Sequence, residues 1–374
     1  MYLLRPDSRH VWSNQEVRTR LPRYYAIMKD KKKARYIITK KVSVNYEPHD
    51  SLQKLWAVHE EGHNKFLRLL RSIDDGQALE EIESPHKSYL ELKCEIANRI
   101  LENCHFCERK CHKNRLAGEL GFCKVSKDAV VSSAFLHYGE ESVLVPSGTI
   151  FFSGCTFRCV FCQNYDISQK WRSSLGKILN GVPQTPEQTV AICNHLVREK
   201  GRNINWVGGD PTPNISHILK TLKQLETNVT QLWNSNMYLT PESMKLLLDV
   251  MDFWLPDIKY FNNSFARRMS RIRNYWEVVT RNVKLAYDEG SGEIIVRHLC
   301  MPGRIEADTY PILEWCSKEI PKSMINIMEQ YRPLHLVKKR RKKYRDIDRR
   351  ITREELSKAQ RKADDLGILW RPIS

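Results

Sequence analysis

Three cysteines stand close together in the stretch GTIFFSGCTFRCVFCQNYD. Cys155, Cys159 and Cys162 are spaced C-x3-C-x2-C just beyond the apolar run 149–152. Thiolate is the usual ligand of iron–sulfur clusters, and a loop leaving a strand end can bring three sulfurs to one point. Three thiolates on a four-iron cluster leave one iron open, and an open iron is where a ligand can react. The same spacing also fits a zinc site that borrows a distant fourth ligand, or three cysteines buried for packing alone.

A second set, Cys104, Cys107, Cys111 and Cys123, reads C-x2-C-x3-C-x11-C. Four thiolates in one short segment fit a closed site, either tetrahedral zinc or an all-cysteine iron–sulfur centre. A closed site points to a structural or electron-relay role. The structural role is the expectation, because no path between the two cysteine sets is legible in the chain. Cys94, Cys193, Cys300 and Cys316 stand apart and read as small buried hydrophobes.

In AVHEEGHNKF, His59, Glu60 and His63 match the H-E-x-x-H pattern, in which two histidines on one helix face bind zinc and the glutamate acts as general base. The same helical stripe carries Leu52, Leu55, Trp56, Phe66 and Leu70, and no downstream motif marks a third ligand. A packing role is the simpler expectation. The run LVKKRRKKYR over 336–345 is basic with one aromatic, and fits either a phosphate grip or a solvated loop between the core and the last helix.

These residues need elements to hold them. A chain of 374 residues can bury a full core, as one large domain with a smaller addition or as two of ordinary size. No apolar run reaches the length of a transmembrane helix, and the start MYLLRPDSRHVW has neither the apolar core nor the cleavage site of a signal peptide. A cytoplasmic location is therefore expected. Thiols stay reduced there, so the clustered cysteines read as metal ligands and not as disulfides. The net charge of +17 favours acidic partners and admits nucleic acid among them.

From 148 onward, short apolar runs alternate with stretches of helical period. The pattern predicts strands at 149–153, 204–208, 230–235, 253–258, 293–299 and 324–328, and helices near 186–200, 214–226, 240–250, 270–288 and 307–319. Six such units imply a parallel sheet, open or curled into a partial barrel. Upstream, helices are expected at 51–73 and 88–101, while 1–50 shows no sustained period and reads as an arm or small appended element. T-R-E-E at 352–355 is a capping box that opens a terminal helix over 352–366. Four segments follow: a basic, helical extension (1–100), a four-cysteine segment (101–147), a core (148–335), and a basic loop with the last helix (336–374).

The stretch SGTIFFSGCTFRCVFCQNYDISQ, with the aromatic Phe161 just before the last cysteine, resembles the radical S-adenosylmethionine (radical SAM) superfamily. More closely, it is similar to uncharacterised proteins related to pyruvate formate-lyase activating enzymes. The resemblance continues through WVGGDPTP (206–213), NSN (234–236), LPDIKY (255–260), IIVRHLCMPG (294–303) and MEQYRP (328–333), and so spans about 100–366. It implies an α/β fold, a partial (β/α)6 TIM-like barrel with a mainly helical, cysteine-containing N-terminal extension. It also implies a metal-binding oxidoreductase in which Cys155, Cys159 and Cys162 hold a [4Fe-4S] cluster whose open iron takes the amino and carboxylate groups of S-adenosylmethionine. Reduction then splits the sulfonium to methionine and a 5′-deoxyadenosyl radical, which abstracts hydrogen from a substrate; in the activases that substrate is a protein.

Carried over by position, the resemblance places Phe161 at the adenine and Gly208, Gly209 and Asp210 at the methionine ammonium, where the family more often has Glu as the third residue. It places Ser235 and Asn236 at the ribose, Asp257 and Lys259 as counter-charge and carboxylate or ribose contacts, and Arg297 at the methionine carboxylate. It implies an electron donor such as flavodoxin or ferredoxin, and no membrane partner. Three other readings stay open: an RNA-modifying radical SAM enzyme, a zinc hydrolase built on His59, Glu60 and His63, and a basic nucleic-acid-binding module with structural cysteines.

Overall fold

The computed structural model describes residues 5–170 and 180–373. Its strands are β1 (Ala129–His137), β2 (Ser147–Phe152), β3 (Val182–Gln184), β4 (Asn203–Gly208), β5 (Thr230–Ser235), β6 (Phe253–Pro256), β7 (Ile295–Leu299) and β8 (Met324–Met328). β2, β4, β5 and β6 pair side by side in parallel, and β7 pairs with β8 in parallel. Parallel bridges Trp254↔Ile294 and Asp257↔Arg297 carry β6 onto β7. Six parallel strands therefore run in the order β2-β4-β5-β6-β7-β8. Among the described residues no ladder joins β8 back to β2, so the wall is an open partial barrel.

The six parallel strands fall where the apolar runs predict them, because strands buried on both faces read as continuous hydrophobic stretches. Ile204, Trp206, Leu232, Trp233, Trp254 and Ile295 are all fully buried. β1 and β3 are additions that the pattern does not reveal. β1 lies antiparallel on β2, and β3 antiparallel on β1, as an outer edge. Two serines and a register shift between Val131 and Ser133 interrupt the alternation of β1.

Helices Pro186–Arg198, Ile215–Gln224, Pro241–Leu248 and Tyr310–Glu319 follow strands as expected. The single helix expected over 270–288 is instead two, Asn263–Ser270 and Tyr275–Asp288. Arg271 (φ 56°) and Asn274 (φ 49°) take left-handed conformations at the break, which ends the first helix and turns the chain. Residues 5–50 are no loose arm. Within them, Asp7–His10, Gln15–Arg20, Pro22–Met28 and Arg35–Thr39 are short helices that bury Val17, Tyr24, Tyr36 and Ile38, with Leu21 buried at the junction of the second and third. Tyr24 packs edge-on against Phe253 of β6 at 5.2 Å. Helices of four to seven residues are too short for their period to show in the sequence.

The basic run is not a plain loop either. It forms a helical turn, Leu336–Lys339, and a tighter turn, Arg341–Tyr344. The terminal helix Arg353–Asp365 begins at the expected capping box of Thr352 and Glu355. Glu355 also accepts from Arg349 and from the N–H of Gly303 at 2.6 Å, tying this helix to the chain beyond β7.

Arg349 first, then the N–H groups of Thr352 and Gly303, hold the Glu355 carboxyl down to about 2. A depressed carboxyl stabilises the fold above its ordinary value of 4.5, and that stability is lost as pH falls toward about 2. Melting at about pH 3 and at neutral pH should therefore differ less in Glu355→Gln than in the wild type. An unchanged acid dependence would contradict the anchor.

Candidate active site

β2 ends at Phe152 and the chain enters the cysteine loop through Ser153 and Gly154. Gly154 has φ +92°, and a Cβ there would lie 2.6 Å from Val125 Cγ2 and 2.8 Å from the Cys123 carbonyl oxygen, so the loop presses directly on the four-cysteine segment. The loop is held on every side. Gly154 N–H donates to Ile167 O, Val160 N–H donates to Met269 O, and Val160 O accepts from the N–H groups of Leu336 and Val337. Gln169 Nε2 donates to Cys159 O at 2.9 Å.

This framework turns Cys155, Cys159 and Cys162 into one cavity of about 250 Å³. All three are free thiols, the first two buried and the third half-buried. Ser270 Oγ donates to Cys159 Sγ at 3.0 Å, and Ser168 Oγ lies 3.2 Å from Cys162 Sγ. Burial pushes the Cys155 thiol up, and the Cys159 thiol up to about 11, so metal binding here must displace protons.

The facing wall is built from the C-terminal ends of successive strands, where parallel α/β folds gather their sites. Phe161 joins it from the loop, Gly208, Gly209 and Asp210 from the end of β4, Ser235 and Asn236 from β5, Asp257 and Lys259 from just beyond β6, and Arg297 from β7. Every residue expected at the cofactor thus lines one cavity with the three thiols. Asn234, Met328 and Gln330 line it as well.

The glycines are required by contact. Gly208 has φ +130°, and a Cβ on it would fall 2.1 Å from Phe152 O; one on Gly209 would fall 2.1 Å from Gly154 O. Gly209 and Asp210 N–H groups donate to Phe152 O and Gly154 O, which stitches this loop to the lead-in of the cysteine loop. Asp210 is buried and turned to the backbone. Its carboxylate accepts from Thr212 N at 2.9 Å and Asn236 N at 3.1 Å, so it joins the ends of β4 and β5. Lys259 Nζ lies 2.5 Å from Asp257 Oδ2, a charge pair at the cavity wall.

Arg297 is committed on one side. Its Nε and Nη2 donate to Glu141 at 2.8 and 2.7 Å, Nη2 also meets Glu140, and Asn326 Nδ2 donates to Glu141 Oε1 at 2.7 Å. Burial opposes charge on Glu140, yet Arg297 and His137 hold its carboxyl down to about 2. Sequence reasoning missed both glutamates. The only signal was a doubled acid in YGEESVLV, just before a buried strand.

Cys104, Cys107, Cys111 and Cys123 line a separate small cavity with Arg109, Arg115, Phe122 and Thr156. Thr156 directly follows Cys155, so the two thiol sets are neighbours, a proximity that the chain alone does not show. Arg109 Nε donates to Thr156 O at 3.1 Å, Arg158 Nη1 to Cys155 O at 2.8 Å, and both guanidiniums lie over the Phe122 ring at 3.9 and 4.1 Å. Among the described residues no three His, Cys, Asp or Glu side chains are drawn together as ligands of a single ion, and this holds for both thiol sets.

His59, Glu60 and His63 lie away from the cavity. His59 Nε2 is 3.0 Å from both Tyr89 OH and Lys93 Nζ, so an ammonium stands where a zinc would have to bind. His63 Nδ1 is 2.9 Å from Asp249, and Glu60 pairs with Lys245 at the surface. His59 and His63 belong to an ion network between helices and Glu60 to a separate surface pair, which corrects the zinc-hydrolase reading and fits the packing role.

Residues 149–316 match the family model described as the radical SAM superfamily. An uncharacterized protein of Methanocaldococcus jannaschii is 43% identical over 351 residues, 93% of this chain and 98% of that one. The chain belongs to the radical SAM superfamily, whose members use a [4Fe-4S] cluster and S-adenosylmethionine and need a reductant.

Three solved structures are similar at low identity. A domain of pyruvate-formate lyase-activating enzyme from Bacteroides vulgatus is 14% identical, covering 46% of this chain and 98% of its own, with TM-score 0.36. TYW1 with a lysine-pyruvate adduct bound is 15% identical, with coverage of 61% and 75% and TM-score 0.37. QueE from Escherichia coli is 15% identical, with coverage of 55% and 86% and TM-score 0.35. No helix among the described residues is long and apolar enough to cross a membrane.

Proposed function

We propose that Cys155, Cys159 and Cys162 hold the [4Fe-4S] cluster and that the facing wall holds S-adenosylmethionine, making this chain a hydrogen-abstracting enzyme of the activase type with a polypeptide substrate. Bound together and reduced, the two cofactors would supply a 5′-deoxyadenosyl radical. One observation carries the cofactor assignment: residues from widely separated stretches of chain, each expected at the cofactor, line a single cavity with three free thiols; the polypeptide substrate rests on the sequence resemblance to the activases alone. The donor chemistry fits, since thiolates are cluster ligands and one cluster position would remain for a ligand from the cavity.

The chain's own residues have distinct tasks. Hydroxyls of Ser270 and Ser168 hold the Cys159 and Cys162 sulfurs in place. Gly208 and Gly209 permit the close backbone approach that exposes carbonyls toward an ammonium. Asp257 with Lys259 offers both charges to a zwitterionic amino-acid end, and Glu141 fixes the guanidinium plane of Arg297. Asp210 orients the two loops.

Anaerobic reconstitution followed by iron and sulfide analysis tests this reading. One redox-active cluster should appear on the three-cysteine loop, with an electron resonance signal that shifts when S-adenosylmethionine is added. A Cys159→Ala protein that keeps the same signal and shift would overturn the assignment.

The four N-terminal cysteines are, in the same reading, a closed zinc site that fixes the segment 104–123 beneath the catalytic loop, and zinc-binding free energy there is also folding free energy. Metal analysis of the triple variant Cys155→Ala, Cys159→Ala, Cys162→Ala should find zinc retained. Iron with sulfide in that variant would identify a second iron–sulfur centre instead.

A further inference from the structure

Val160, between Cys159 and Cys162, is clamped by two segments. Its N–H donates to Met269 O at 2.9 Å, and its carbonyl accepts from Leu336 N–H at 2.9 Å and Val337 N–H at 3.2 Å. Both segments run straight into exposed cations: Arg271 and Arg273 on one side, Lys338, Arg340, Lys342 and Lys343 on the other. The acids at hand, Asp346 and Asp348, are taken by Arg268 and Arg341. Among the described residues none of those six cations forms an ion pair. A collar of uncompensated positive charge therefore follows the two segments that clamp the peptide between two of the loop's cysteines.

We propose that this collar is the docking surface of an acidic protein that donates one electron to the enzyme. The proposal rests on the radical SAM reading above. None of the collar cations lines the cavity, so a partner bound here is not thereby delivered to the reacting position. A donor needs only to approach the loop. It would give up one electron from a reduced flavin or iron–sulfur centre to a cluster that Cys155, Cys159 and Cys162 would hold, with no bond made or broken.

Single-stranded nucleic acid gains much of its affinity from bases stacking on open aromatic faces. The collar offers little of that kind. Tyr165 is 38% exposed but has one face stacked on His335 at 4.8 Å and 16°, and Tyr344 is buried. Charge without stacking faces suits an acidic protein surface, where complementarity mainly speeds encounter and weakens with salt.

The test uses reconstituted enzyme and reduced flavodoxin as the probe, comparing wild type with the variant Lys338→Glu, Arg340→Glu, Lys342→Glu. Flavodoxin affinity at low ionic strength should fall about tenfold or more in the variant, and wild-type affinity should fall with added salt. Reduction by flavodoxin should slow while reduction by dithionite stays unchanged. The matched reversal Arg198→Glu, Lys200→Glu, Lys322→Glu, outside the collar, should bind flavodoxin as wild type does.

Equal flavodoxin binding by the collar variant overturns the proposal, as does an equal loss in the matched control. Retained flavodoxin binding with lost affinity for an oligouridine strand would overturn it in favour of nucleic acid. Failure of dithionite to reduce the wild type would count against the radical SAM reading, and flavodoxin binding would still report on the collar by itself.

Discussion

Alanine at position 249 should cost the fold about 3–5 kcal/mol, the usual consequence of leaving a buried ion without its partner. Asp249 is fully buried, and so is Lys93, whose Nζ lies 3.0 Å from Asp249 Oδ2. The same carboxylate accepts from Tyr89 OH at 2.8 Å, meets His63 Nδ1 at 2.9 Å and faces the buried Arg35 at 3.9 Å. These groups come from the helices Leu52–Asp74, Tyr89–Glu102 and Arg35–Thr39 and from the end of Pro241–Leu248, so one carboxylate ties the N-terminal helices to the barrel.

Burial opposes the charge on Asp249, yet Lys93, His63 and Arg35 hold its carboxyl well below the ordinary range. Its contribution is therefore present at ordinary pH and lost only in strong acid. His63 is shifted the other way, raised by its bond to Asp249. That smaller contribution is present below the usual imidazole value of 6.5 and fades as pH rises through the higher folded value. Urea unfolding at neutral pH is the measurement. A wild-type midpoint in Asp249→Ala would show that the network holds nothing together.

The second large effect is expected at Gly208. The paired backbones of β2 and β4 meet there, Phe152 opposite Gly208, and a Cβ would sit 2.1 Å from Phe152 O and 2.3 Å from Phe152 N. Backbone cannot swing aside as a flexible side chain can. The φ of +130° adds strain for any residue with a Cβ, and strain and overlap each cost about 1–3 kcal/mol. Relief must part the ends of β2 and β4, which shifts the lead-in to Cys155. Gly208→Ala should lose measurable S-adenosylmethionine binding as well as stability. Gly303 is the control, with φ +69° but nothing within 4 Å of an added Cβ. Gly303→Ala should show the cost of strain alone, and equal losses in the two variants would contradict the packing argument.

Legibility followed how local each signal is. The six parallel strands and the glycine and cysteine positions could be read because buried strands are continuous apolar runs and the site residues sit at their ends. The break at Arg271–Asn274 could not, since nothing in RIRN announces two left-handed residues. Glu140 and Glu141 were invisible as a site feature because their partner, Arg297, lies more than a hundred residues away. The nearness of the two cysteine sets had the same cause: it depends on Gly154 letting the loop settle on Cys123, a contact that no spacing encodes. His59 and His63 show the opposite case. Their place on an apolar stripe correctly predicted a packing role, though not the lysine and aspartate that complete it.

We propose that this cavity cleaves S-adenosylmethionine reductively. The most direct measurement is 5′-deoxyadenosine released under anaerobic conditions by reconstituted, dithionite-reduced protein supplied with S-adenosylmethionine. The wild type should release product and Cys159→Ala none. Absence of product from cluster-loaded wild type, or its persistence in Cys159→Ala, would contradict the proposal.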